Sequence, residues 1–199
     1  MKIDVRVCTK TLLVGTTLAS LLALAVTPAA SQSTSGQTAP PAQPDHWAPL
    51  RPLVGWWEGS VDGRLGTGRA VRRYEFVVGG NYLLSRHASV RLPQEKSPEG
   101  DHHEEMGIFS FDQQRQKLVY REFMVEGVVP RSVCETDGST IVCTTEAVES
   151  GPGIRARLTL EIVDRFRFVE RYELGFPGEE LQSYIEIQWT RKPVADLWN

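Results

Sequence analysis

The sequence predicts an all-β protein: a single closed antiparallel up-and-down β-barrel of about ten strands with a short N-terminal plug. Three observations predict it. Short runs of β-branched and aromatic residues recur between residues 55 and 191, separated by Gly, Pro, Asp and Asn, with almost no helical periodicity. Apolar and polar residues alternate within the runs, as a strand with one buried face requires. The joining loops are short, and an antiparallel meander of this many strands loses its exposed edges only by closing on itself.

The chain has 199 residues, enough for one domain with flanking segments. Lys2, Arg6 and Lys10 precede an apolar run over 11–26, and small residues follow at Thr27, Ala29 and Ala30. This layout predicts a signal peptide over 1–30, the run being too short for a stable span; an uncleaved anchor is the alternative. Cys8 lies before the apolar run and so is not placed to carry a lipid at the cleavage site. Residues 31–45 are rich in Ser, Gln, Pro and Thr, and read as a disordered linker. The barrel domain is expected over 46–192 and a short tail over 193–199. No other stretch approaches membrane-spanning length.

The net charge is −3 and becomes more acidic without the leader, which carries three of the cations. No basic patch interleaved with aromatics is present, which argues against nucleic acid. Cys134 and Cys143 remain after cleavage, in the segment 134–143. A two-residue turn at Gly138-Ser139 places them opposite each other at a close, non-hydrogen-bonded position. A turn at Asp137-Gly138 shifts the register and separates the sulfurs. The first turn, in an oxidising compartment, gives a cross-strand disulfide.

Ten candidate strands follow: 55–61, 69–78, 81–90, 104–112, 117–127, 130–136, 140–148, 154–163, 165–175 and 182–191. On the ninth, Phe166, Phe168, Tyr172 and Leu174 share one face, with Glu170 among them. On the tenth, Ile185, Ile187 and Trp189 share a face with Arg191, and Tyr184 lies opposite. Closure makes the first and last strands neighbours. Trp57 and Arg191 then meet at the barrel floor as a cation–π pair, with 46–54 plugging that end and Trp56 facing outward. The alternative is that both tryptophans fill a sandwich core.

Gly55-Trp56-Trp57 opening the first strand, with Arg191 in the last, resembles the calycin superfamily. The segment 62–68 is too short for the helical lid of fatty-acid-binding proteins, so the pattern is most similar to nitrobindin-like heme-binding barrels. Stretches such as "LRPLVGWWEG", "YEFVVGGNYLLSRHA" and "HHEEMGIFSFD" resemble uncharacterised bacterial members of that group. The resemblance implies a heme-binding or nitric-oxide-related protein. It departs from the pattern in one respect: no histidine follows His103, so the late-chain iron ligand is missing. Met124, Tyr184 or His103 would have to replace it.

The residues with chemistry form a short set. Asp101, His102, His103, Glu104 and Glu105 offer metal-binding side chains, but adjacent histidines on a strand point opposite ways. The segment therefore reads as a hydrated acidic loop, with His103 the candidate for a role at the barrel mouth, and no metal site is expected. Glu170 sits on an apolar face, and Glu126 shares a face with Tyr120, Glu122 and Met124. Each is either a polar anchor for a ligand headgroup, part of an internal ion pair, or turned out by a bulge. The ligand-binding candidates are thus His103, Met124, Glu126, Glu170 and Tyr184.

The sequence predicts a secreted or periplasmic, non-enzymatic binding protein that holds a small, mostly apolar molecule in its lumen. The alternatives are the heme reading, and an isomerase or lyase using Glu126 or Glu170 as acid–base. The oligomeric state is left open.

Overall fold

The computed structural model describes residues 45–193. The expected signal peptide (1–30), linker (31–45) and tail (193–199) lie outside the described residues, apart from Asp45 and Pro193. Asp45 belongs to the plug: its carboxylate accepts from the Trp47 N–H at 3.1 Å and the Arg51 guanidinium at 2.7 Å.

Ten strands form one sheet: β1 (Gly55–Gly63), β2 (Gly68–Val77), β3 (Tyr82–Arg91), β4 (Asp101–Asp112), β5 (Lys117–Met124), β6 (Val129–Asp137), β7 (Thr140–Ser150), β8 (Arg155–Asp164), β9 (Arg167–Gly175) and β10 (Gln182–Arg191). Each pairs antiparallel with the next, and β1 pairs with β10, so the barrel is closed. Among the described residues no helix is long and apolar enough to cross a membrane.

Burial alternates along the strands with the period of two that the pleat imposes. Inward residues Trp57, Tyr74, Leu83, Phe109, Leu118, Ile141, Leu160, Phe168 and Trp189 fill one half of the lumen. The aromatic rings there pack edge-on and stacked, Trp57 against Phe168 at 4.7 Å and Phe168 against Trp189 at 5.7 Å.

The plug closes that same end. Leu50, just before a short 3-10 turn at Arg51–Leu53, and Leu53, its last residue, are fully buried, and Trp47 packs edge-on against Phe76. Trp57 lies opposite Arg191 in the β1–β10 register, with the guanidinium carbon 4.2 Å from the indole centre. Trp57 Nε1 donates to the Leu53 carbonyl at 2.6 Å. Arg191 donates to the carbonyls of Arg165 at 2.7 Å, Val54 at 2.6 Å and Pro52. The guanidinium thereby satisfies three carbonyls that no strand partner reaches. Trp56 faces outward, beneath Arg73.

Cys134 pairs with Cys143 across β6 and β7 and forms a disulfide. The turn is Gly138-Ser139, with Gly138 at φ 57°, the positive value a type II′ turn needs at its first central position. The competing Asp137-Gly138 register is not adopted.

Three local expectations are corrected. Phe166 does not join the apolar face of β9; it is half exposed in the turn before it. The Asp164 carboxylate accepts from the Phe166 N–H at 2.8 Å and turns the chain there. The strand expected to reach residue 127 ends at Met124, where Gly127 at φ 77° makes a turn and Met124 N–H bonds to the Val128 carbonyl. Glu126 therefore leaves the face of Tyr120 and Glu122 and stands at the rim. Finally, a bulge between Ser183 and Ile185 breaks the alternation on β10, so that Tyr184 and Ile185 both reach the lumen.

Candidate functional site

The half of the lumen away from the plug is open. A cavity of about 350 Å³ lies between the loops after β3, β5, β7 and β9. Val128, Ile154, Tyr172, Leu174, Ile185 and Ile187 line its apolar side. His87, Arg91, His103, Glu105 and Glu170 line its polar side. This combination of apolar wall and few converging polar groups is that of a small-molecule site.

The polar floor is organised by Arg72, which is 1% exposed. The period of two sends Ala70, Arg72 and Tyr74 inward from β2. The Arg72 guanidinium reaches Glu105 on β4 at 2.7 Å, Glu170 on β9 at 3.0 Å and His87 on β3 at 2.6 Å. It also donates to the Tyr74 hydroxyl at 3.1 Å and lies 5.3 Å from the centre of the Trp189 ring. One cation thus ties strands from opposite sides of the barrel. Trp189 Nε1 donates at 3.0 Å to Glu170 Oε2, the same oxygen that meets Arg72.

Electrostatics follow from this packing. Burial alone would raise Glu105, but the Arg72 charge and a hydrogen bond from His103 hold it well below the ordinary carboxylate range. Burial lowers His87, and the Arg72 charge lowers it further, so the ring is neutral. Glu122, on β5, is 3% exposed; burial and then the Glu105 charge push it well above the ordinary range. Gly107 stands opposite Glu122 and accommodates the neighbouring Tyr120 ring: a Cβ there would collide with the Tyr120 hydroxyl.

His103 guards the mouth. Its Nε2 lies 3.5 Å from Glu105 and its Nδ1 3.0 Å from Glu126. Glu105 first, and then Glu126, raise it to about 9 against the cost of partial burial. Its neighbour His102 points outward, 3.4 Å from Glu104. The folded value of His103 exceeds the unfolded value of 6.5, so its stabilising contribution is complete below pH 6.5 and is lost as pH rises towards about 9. Denaturant unfolding of the native protein is expected to show stability falling across that window. His103→Asn is expected to flatten the slope, and an unchanged slope would show that other groups set it.

The structure therefore brings His103, Met124, Glu126, Glu170 and Tyr184 to one cavity. Glu170 is bound at its floor, Glu126 is half exposed at its rim, and Met124 and Tyr184 are half-buried in its wall. Sequence reasoning missed Arg72, His87, Glu105 and Glu122. Parity was the available signal: Arg72 shares a face with Tyr74, His87 with Leu83, Glu105 with Phe109, and Glu122 with Tyr120.

Fold and cavity define a class: a closed ten-stranded antiparallel barrel, packed at one end and hollow at the other. Among solved structures, the chain is similar to the crystal structure of Rv2717c from M. tuberculosis, with 15% identity and a TM-score of 0.54 over 75% of this chain and 99% of that chain. At that identity the likeness shows the fold alone. No family model matches the chain, and no curated protein matches it in sequence.

Proposed function

We propose that this is an exported, non-enzymatic binding protein of calycin-like, nitrobindin-like architecture that holds a small, mostly apolar molecule in its lumen. The observation that carries the reading is the contrast between the two barrel halves: one filled by stacked aromatics, the other a cavity of about 350 Å³ with an apolar wall. Export is supported by the leader-like N-terminus and by the Cys134–Cys143 disulfide, which suits an oxidising compartment.

The other readings have less support. For heme, His103 has both ring nitrogens engaged by carboxylates and is raised to about 9, which disfavours the neutral imidazole that iron needs. Met124 and Tyr184 remain as ligands. For an acid–base enzyme, Glu170 is bound by Arg72 and Trp189, and Glu126 is at the rim.

Native mass spectrometry of freshly isolated protein tests the proposal. A co-purified small molecule, lost in the cavity-filling variant Leu174→Trp, is the expected result. Protein that remains bare, and that binds no member of an apolar fragment set, would overturn it. A Soret shift on adding hemin would favour the heme reading instead.

A further inference from the structure

The polar side of the cavity contains hydrogen-bond donors without acceptors. Arg72 fixes the first. A guanidinium only donates, and its Nη2 lies 2.6 Å from His87 Nδ1. Nδ1 therefore accepts, and the one proton of the neutral ring sits on Nε2. Nε2 is buried and meets no partner, and His87 as a whole is 7% exposed. The Tyr172 hydroxyl is the second: it is buried, unpartnered and on the cavity wall, in a residue 9% exposed. Burial, and then Glu122, raise Tyr172 well above its ordinary value, so the phenol keeps its proton. Arg91, on the same polar side, has a third such donor, its buried Nε. Buried donors without partners are rare in folded proteins, and their gathering in one cavity points to an acceptor brought by a ligand.

The acceptors facing the cavity are already engaged. Glu105 is matched by Arg72 and His103, Glu170 by Arg72 and Trp189, Glu126 by His103, and Asp101 by Arg91 at 2.6 Å. Charge decides which acceptor fits. Each cation facing the cavity already lies against carboxylate, Arg72 between Glu105 and Glu170, Arg91 on Asp101 and His103 between Glu105 and Glu126, so an anionic headgroup would enter a site with no cation to spare. A neutral oxygen meets no such penalty.

We propose that the cavity selects a neutral carbonyl compound (a ketone, ester or amide on an apolar body) whose oxygen accepts from His87 Nε2–H and the Tyr172 hydroxyl. The inference rests on the lumenal reading above and names its ligand class. It also accounts for two donors that the fold itself leaves unsatisfied.

Calorimetric titration of the native protein with benzophenone, its hydrocarbon analogue diphenylmethane and the anionic benzoylbenzoate provides the test, together with the infrared carbonyl stretch of bound benzophenone. Benzophenone is expected to bind at least about tenfold more tightly than diphenylmethane, with its stretch lowered by hydrogen bonding. Tyr172→Phe removes only an unpaired hydroxyl, so the barrel is expected to fold. That variant should shrink the ratio and raise the stretch while leaving diphenylmethane binding unchanged; His87→Phe, which also removes an acceptor from Arg72, should likewise raise the stretch. Equal affinity for ketone and hydrocarbon, tightest binding of the anion, or a stretch indifferent to both substitutions would overturn the inference and leave the lumenal reading standing. If neither benzophenone nor diphenylmethane binds, the lumenal reading fails, and this inference with it.

Discussion

Replacing Arg72 with Met is expected to destabilise the barrel by about 3–5 kcal/mol, because it strands two buried carboxylates without their cation. Glu105 and Glu170 are both nearly inaccessible, and the Arg72 guanidinium is 1% exposed between them. Desolvation opposes all three charges, and it is offset only while they remain together. The variant's pH dependence is the sharper readout. In the native protein Glu105 is held well below the ordinary carboxylate range, so its contribution is present above about pH 4.5 and is lost as pH falls through its lower folded value. Without Arg72, burial dominates and raises Glu105. A raised carboxyl stabilises the fold below its unfolded value and loses that contribution as pH rises. Stability should therefore fall more steeply between about pH 4.5 and 6 in Arg72→Met than in the native protein. Adding Glu105→Gln and Glu170→Gln should recover most of the loss, since a neutral cluster has no charge left to desolvate. Urea unfolding of the three proteins at several pH values measures both effects. A loss under about 1 kcal/mol, or a slope no steeper than the native protein's, would mean that the three charges are not coupled as their distances indicate.

The difference between this cluster and the strands that hold it explains what the sequence makes legible. All ten strands can be read from it because alternation is a local property: Phe168, Tyr172 and Leu174 announce one face of β9 without reference to any other strand. Where local hydrogen bonding competes with alternation, the reading slips. Phe166 has the correct parity, but the Asp164 carboxylate captures its N–H and ends the pattern. Tyr184 has the wrong parity, but a bulge restores it to the lumen. Such decisions depend on pairing geometry with a neighbouring strand, which the order of residue types does not encode directly. The polar floor is harder still. Arg72, His87, Glu105 and Glu170 come from β2, β3, β4 and β9, and only closure brings β9 within reach of β2. In the sequence each is one charged or polar residue among many in a charge-rich strand. Glu170 stands out because its neighbours on the same face are apolar; Arg72 is hidden by Arg69 and Arg73.

Trp57→Ala is expected to cost about 3–5 kcal/mol, the range for removing a buried aromatic that its surroundings cannot fill. Trp57 is 1% exposed and touches Phe168 edge-on at 4.7 Å, so its loss empties the barrel floor rather than a surface recess. Its partner makes the site specific. Arg191 stacks on the indole face at 4.2 Å while its nitrogens engage the Arg165, Val54 and Pro52 carbonyls. Those carbonyls belong to the turn before β9 and to the plug, so this one guanidinium joins both ends of the chain. Lys has a point charge without the fork, and Arg191→Lys is expected to recover little of the loss in Arg191→Met. Trp57→Phe keeps an apolar ring but loses the bond to the Leu53 carbonyl and part of the cation–π attraction, and should cost less than Ala. A double-mutant cycle over Trp57→Phe and Arg191→Met isolates the stacking term, expected at about 0.5–1 kcal/mol. Additive losses would mean that ring and guanidinium pack independently, leaving the floor held by apolar burial alone. A coupling of the expected size would show that a contact between residues 134 positions apart adds to the strand pairing that closes β1 on β10.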